Sequence, residues 1–296
     1  MKDRFASFHP LVNFVYFASI LVFSMVFMHP VLQAASLTSA VVYSIMLNGK
    51  KAVKFNLLYM LPLLLVAAVL NPVFNHAGVT ILFYLKNGNP ITLESILYGI
   101  SAACMYVTVI VWFSCYNAVM TSDKFIYLFG KIMPALSLIF SMVLRFVPRY
   151  LAQIKVISNA QKCIGRDVTQ GNLLARARNG MTILSIMTTW ALENAIETAD
   201  SMKSRGYGLP GRTSFSLFRF DARDQSVMLV LIGLIALVLF GALMGENTIR
   251  FFPSVKWLAV TPRSIAVYIA YFGLCMVPVI INVVEDMKWK RIESRI

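Results

Sequence analysis

Val227–Met244 reads VMLVLIGLIALVLFGALM, a run without a single charged residue. Rising 1.5 Å per residue, a helix over that run covers the hydrocarbon thickness of a bilayer. Outward from it, runs of the same kind recur at Leu11–Met28, Val31–Leu47, Phe55–Leu70, Ser95–Val119 and Ser264–Val284. Each is predicted to cross as a helix, because a backbone in lipid must satisfy its own hydrogen bonds. The 296-residue chain is 58% hydrophobic and 14% charged, against about a quarter charged in average soluble domains. An all-α polytopic membrane protein is expected, with about five to eight membrane helices and long cytoplasmic helices besides. The range reflects two stretches: Val79–Leu85, short and apolar, as a re-entrant segment, and Pro134–Val147 as a partly inserted one.

The charges give the orientation. Every Lys and Arg except Lys86, Arg250, Lys256 and Arg263 falls in the first ten residues, Asn48–Asn56, Met120–Ser226 or the tail after Val284. By the positive-inside rule these segments and both termini are cytoplasmic. The net charge of +14 is then topology, and with no soluble basic domain left, nucleic acid is not an expected partner. Met1-Lys2-Asp3-Arg4 before an apolar run also fits a secretion signal, with Gln33-Ala34-Ala35 downstream; a retained first span is expected instead. Cys104, Cys115, Cys163 and Cys275 lack C-x-x-C spacing and read as small apolar residues. His9, His29 and His76 are scattered without H-E-x-x-H spacing, so no metal or redox centre is expected. The span cores hold no Asp, Glu, Lys, Arg or His, which argues against an autonomous ion-coupled carrier. Their Met, Phe and Ala content offers an adaptable surface to another membrane subunit, although lipid-facing packing accounts for most of these side chains.

The long segment between spans, Met120–Ser226, is too apolar for disorder. A helix is predicted from Pro134, with a kink at Pro148 and a stop at Gly165. After Gly171-Asn172 a second helix runs to about Ser204. The chain divides accordingly into residues 1–133, 134–224 and 225–296. On the second helix Glu193, Glu197 and Asp200 share one face, flanked by Ala191, Ala195 and Ala199. Two readings of the carboxylates are open: a partner or cation site, or a solvated face of a packed helix. A membrane-embedded enzyme using Glu193, Glu197 and Asp200 near the inner surface is the corresponding alternative function.

That helix ends in Ser204-Arg205-Gly206-Tyr207-Gly208-Leu209-Pro210-Gly211-Arg212-Thr213. Gly206-x-Gly208-x-x-Gly211 matches the dinucleotide fingerprint in letters alone: a helix precedes it, Pro210 interrupts it and no βαβ unit surrounds it. An arginine at a helix carboxy terminus is favoured by the helix dipole, and its planar fork suits a carboxylate. Arg205 either docks a partner, caps its own helix or meets lipid phosphate.

This segment resembles the signature of the transmembrane T component of energy-coupling factor (ECF) transporters, the family that includes the cobalt-transport permease CbiQ. There a small residue followed by Arg-Gly, then Tyr-Gly and a downstream Arg-Thr, closes the last coupling helix, as Ser204, Arg205, Gly206, Tyr207, Arg212 and Thr213 do here. Leu192-Glu193-Asn194-Ala195, Asp224 and His9-Pro10 also sit where the family pattern places similar residues. Its earlier Ala-Arg-Gly motif corresponds to Cys163-Ile164-Gly165; the arginine is missing, with Lys162 and Arg166 as basic neighbours. The resemblance implies a non-catalytic scaffold in the bacterial plasma membrane. It implies two ABC-type ATPase subunits as partners, which bind ATP and Mg, and a substrate-binding membrane S component. The chain itself lacks the phosphate loop G-x-x-x-x-G-K-[ST] and is expected to bind no cofactor. ATP hydrolysis by the partners would then move the coupling helices and reorient the S component to release a vitamin or metal ion.

Overall fold

The computed structural model describes residues 3–84, 88–130, 133–207, 218–255 and 261–294. Proline opens many of the helices, where its missing N–H would be unpaired anyway. α1 (Pro10–Val26) and α2 (Pro30–Asn48) share one device: His9 and His29 stand at the N-caps, and each Nδ1 accepts the backbone N–H two residues on, at 3.2 and 3.3 Å. α3 (Lys50–Phe55) passes through one π turn, Asn56–Met60, into α4 (Leu61–Phe74). A two-stranded antiparallel hairpin, β1 (Ile81–Tyr84) and β2 (Pro90–Thr92), leads to α5 (Leu93–Val119). Then follow α6 (Ser122–Gly130), α7 (Pro134–Cys163), α8 (Leu173–Ser204), α9 (Ala222–Leu243) and α10 (Pro262–Glu293).

The chain is an all-α polytopic membrane protein. The segments Pro30–Asn48, Lys50–Phe74, Leu93–Val119, Ala222–Leu243 and Pro262–Glu293 are long and apolar enough to cross a membrane. The span expected at Leu11–Met28 is the 17-residue α1, shorter because Phe27 turns extended. Within the stretch Val79–Leu85, Ile81–Tyr84 is a strand, in keeping with the β preference of branched and aromatic side chains; Leu85 lies outside the described residues. Glu94, at the start of α5, fastens that strand by accepting the backbone N–H and the hydroxyl of Thr80.

The described residues form two compact units, 3–125 with 218–294, and 126–207. In the first, α5 packs on α4, α2 and α1, while α10 packs on α2 and α9. Lipid tails are as apolar as leucine, so polar contacts and close packing must hold such helices together. Trp112 Nε1 donates to Ser36 Oγ at 3.0 Å, Ser36 and Ser24 hydroxyls lie 2.9 Å apart, and Ser24 reaches the Tyr271 hydroxyl at 3.3 Å. That relay links α5, α2, α1 and α10 in one buried line. Close packing has its clearest case at Gly99, where an added Cβ would meet the Ala68 carbonyl oxygen of α4 at 2.8 Å.

One end of this unit is basic, with Arg4, Lys50, Lys51, Lys54, Lys124, Arg223 and Lys288, and a 3-10 turn (Phe5–Ser7) inserts into it. Phe5 is fully buried edge-on to Tyr16, 5.0 Å between centroids. The Asp3 carboxylate accepts from Asn282 Nδ2 at 2.6 Å, the Tyr43 hydroxyl at 3.0 Å and the Ala6 N–H at 3.1 Å. Lys124 of α6 donates to the carbonyls of Ala6 and Val119; burial lowers its pKa and the Asp3 charge opposes that. Asp224, in the first turn of α9, accepts the His9 N–H at 3.0 Å and the Asp221 N–H at 3.1 Å. Two positions of the family pattern, 215 residues apart, thus share a hydrogen bond.

Two stability predictions follow from these contacts. Lys124→Met leaves the Ala6 and Val119 carbonyls without their donor and should cost about 2–3 kcal/mol; thermal unfolding in detergent at the wild-type midpoint would sink that assignment. Gly99→Ala should lower the same midpoint by several degrees as α4 is forced off α5, whereas Gly233→Ala, whose methyl meets nothing, should not.

Candidate functional site

α7 and α8 of the second unit form a helical hairpin. α7 starts with Pro134 and runs without a break through Pro148 to Cys163, so the expected kink does not end the helix. Ile157 of α7 is buried against Ile183 and Met187 of α8, with Tyr150 and Trp190 packed beside them. Tyr150 meets Trp190 edge-on at 5.6 Å, and the Arg149 guanidinium lies 5.6 Å over the same indole. The pairs 150 with 190 and 157 with 183 make the helices antiparallel.

The connection between them is held by side chains on the first turns of α8. Arg176 Nε donates to the Val168 carbonyl at 2.9 Å and Asn179 Nδ2 to the Asp167 carbonyl at 3.0 Å. Asp167 accepts the N–H and the hydroxyl of Thr169 and pairs with Lys162 at 3.4 Å. The Thr169 N–H, then its hydroxyl, hold the Asp167 carboxyl below the usual range, with Lys162 adding to the effect.

Both helices end in the same way. In α7 the Arg166 N–H bonds to the Gln161 carbonyl at 2.9 Å and the Gly165 N–H to Lys162 at 3.0 Å. In α8 the Tyr207 N–H bonds to the Met202 carbonyl at 3.1 Å and the Gly206 N–H to Lys203 at 3.0 Å. These are Schellman caps, whose central residue is left-handed and so favours glycine; φ is +80° at Gly165 and +78° at Gly206. Ile164 and Arg205 are therefore the same structural position, the C-cap, in two copies of one motif. Ser204 matches Cys163, and Tyr207 matches Arg166.

Arg205, Ser204 and Tyr207 are exposed, as are Lys162, Cys163, Ile164 and Arg166. Ile164 is 64% exposed, an apolar side chain left in the open at a helix end. The α7 cap is tied to the first turns of α8, so the two caps lie the length of most of α8 apart, on the order of 40 Å. Arg212 and Thr213, with Gly208 and Gly211, lie outside the described residues. Glu193, Glu197 and Asp200 are exposed on α8, as are Ala195 and Ala199. Among the described residues no three His, Cys, Asp or Glu come together to hold a metal ion.

Sequence reasoning placed both caps but missed Arg176, Asn179 and Asp167, whose roles depend on a loop geometry that spacing does not reveal. An Asp two residues before a Thr, just after a helix-ending Gly, was the available signal for the Asp167 turn.

The family model CbiQ, described as a cobalt transport protein, matches residues 3–217. Three curated relatives carry the name energy-coupling factor transporter transmembrane protein EcfT. That of Lactobacillus helveticus is 35% identical over 104 residues, 34% of this chain and 38% of the relative. That of Lactococcus lactis subsp. cremoris is 35% identical over 98 residues, 33% and 37%. The Bacillus subtilis protein is 35% identical over 106 residues, 36% and 40%. The aligned stretches span less than half of each relative's length. With the family model matching most of its length, the chain belongs to the CbiQ family, the transmembrane components of energy-coupling factor transporters.

Proposed function

We propose that this chain is the energy-coupling scaffold of an ECF-type importer, joining two cytoplasmic ATPase subunits to a membrane-embedded S component that carries a vitamin or a transition-metal ion. The observation that carries this reading is the α8 cap: Arg205 stands exposed on a rigid Schellman end, aimed by its backbone and not by a flexible loop. ATP and Mg belong to the partner subunits, and the chain acts without a cofactor of its own. The basic end of the first unit faces the cytoplasm by the positive-inside rule, in the bacterial plasma membrane with both termini inside.

The spacing of the caps supports a two-ATPase partner. A compact domain of about 250 residues is roughly 45 Å across, so caps on the order of 40 Å apart suit one receptor on each of two neighbouring domains. An α-helix transmits displacement along its axis because its backbone hydrogen bonds keep its length constant. When the ATPases close on ATP, the ends of α7 and α8 move with them, and the hairpin carries that movement to the S component. Tyr207, Arg212 and Thr213 support the docked end of α8.

Arg205 is expected to enter a pocket holding a carboxylate, where losing a desolvated charged contact costs about 2–5 kcal/mol. Arg205→Glu should insert and melt as the wild type does, yet co-purify from native membranes with less ATPase and lose at least nine-tenths of ATP-driven uptake. Arg205→Lys, which keeps the charge without the two-pronged fork, should fall between. Wild-type uptake and hydrolysis in Arg205→Glu would overturn the docking role.

A further inference from the structure

We infer that the hairpin of β1 and β2 is an interfacial anchor: it lies among the lipid headgroups of the leaflet opposite the basic end and holds the neighbouring ends of α4 and α5 at that depth. The depth follows from the helix that leads to the hairpin. From Lys54 to Phe74 the chain is helical and carries no further charge. That length rises about 30 Å, the thickness of the hydrocarbon. Phe74, 78% exposed, therefore emerges at the far boundary, and the hairpin begins a few residues beyond it. β2 packs on both α4 and α5, which keeps the hairpin at the level of their ends.

The side chains suit that level. Ile81, Leu82, Phe83 and Tyr84 are all exposed, with Val79 exposed beside them, so β1 is apolar on both faces. A strand covered by protein on one face alternates apolar with polar residues, and β1 shows no such alternation. Water would leave the patch uncovered. Hydrocarbon does not suit it either: among the described residues β1 pairs with β2 alone, and the N–H and C=O groups of its other edge need water or headgroups. The interface supplies both surroundings, and aromatic side chains collect there. Addition of a partner's strand is opposed by the register shift between Ile81 and Phe83, since irregular edges pair poorly. An anchor must also be fastened to what it holds. The Thr92 hydroxyl accepts the Ser95 N–H at 3.3 Å, capping α5, and donates to the Ala77 carbonyl at 2.7 Å. His76 Nδ1 lies 3.1 Å from the Pro90 carbonyl, and a Cβ added at Gly78 would meet Glu94 Oε2 at 2.6 Å.

Spin labels on the full chain test this. Phe83→Cys and Tyr84→Cys, neighbours whose side chains leave opposite faces of a strand, and Val69→Cys on the exposed side of α4 are each made together with Cys104→Ala and Cys163→Ser; Cys115 and Cys275 are buried and stay. The chain, with whatever subunits accompany it, is placed in vesicles of phosphatidylethanolamine and phosphatidylglycerol. Collisions of the label with oxygen, which enters lipid, are compared with those of a nickel chelate, which stays in water. Oxygen should exceed nickel at both 83 and 84, by a smaller ratio than at 69. An excess of nickel at either position puts that face in water and overturns the inference. Few collisions with either reagent put it under a protein and overturn the inference as well. A second arm tests the holding role: Leu82→Asp with Phe83→Asp, both exposed, should draw the hairpin into water and raise nickel collisions severalfold for a label carried by Phe74→Cys. No change at position 74 would overturn the anchoring role.

Discussion

The hydroxyl relay from Trp112 through Ser36 and Ser24 to Tyr271 crosses four helices in the buried interior of the first unit. In lipid a leucine face gains little by turning inward, so helices choose partners through polar contacts and through how closely their backbones approach. The same constraint explains why the fully buried side chains of the first unit include Trp112, Tyr16, Tyr43 and Tyr271. Each combines a large apolar body with one polar atom that needs a partner. Tyr16 finds the Cys275 carbonyl at 3.0 Å, and Tyr43 finds Asp3 at 3.0 Å.

The basic end adds a second layer of the same logic. Asp3 and Asn282 close a ring of hydrogen bonds around the N-terminal turn, and Arg223 covers Phe8 at 4.2 Å while pairing with Glu285 at 3.4 Å. Residues distant in sequence therefore share a small number of charged contacts, and the loss of one leaves several polar atoms buried without partners. Such an arrangement makes this end a firm anchor for the helices that leave it.

The hairpin of α7 and α8 is built on the opposite plan. Its core is the small cluster around Ile157, Ile183 and Met187, and many of its large apolar side chains remain exposed, among them Leu173, Leu184, Leu192 and Ile196. Its hydrogen bonds outside the helices gather at the connection and the two caps. A surface left open with capped ends is what the proposed coupling role would call for.

Much of this was legible in the chain itself. Uncharged runs long enough to span a bilayer marked the spans, because hydrocarbon thickness is a length that sequence states directly. Pro134 and Gly165 bounded α7, and Gly206 closed α8, since a missing N–H and a left-handed residue have few other places to go. Ser24, Ser36, Trp112, Tyr271 and Asn282 sat unnoticed inside runs read as apolar, and Asp3 and Lys124 looked like ordinary flanking polar residues. Their roles depend on which helices become neighbours, a matter of separations of up to 279 residues that no local spacing encodes. The strand at Ile81–Tyr84 was hidden for a related reason: a short apolar run suits several conformations, and this one pairs with Pro90–Thr92 while the Glu94 carboxylate accepts the backbone N–H of the adjoining Thr80. By itself, then, the sequence determined the class and the two helix ends, because each follows from the length of the apolar runs, residue type and local backbone geometry. Only the tertiary structure decided the helix partners, because those follow from hydrogen bonds that exist once the chain has folded.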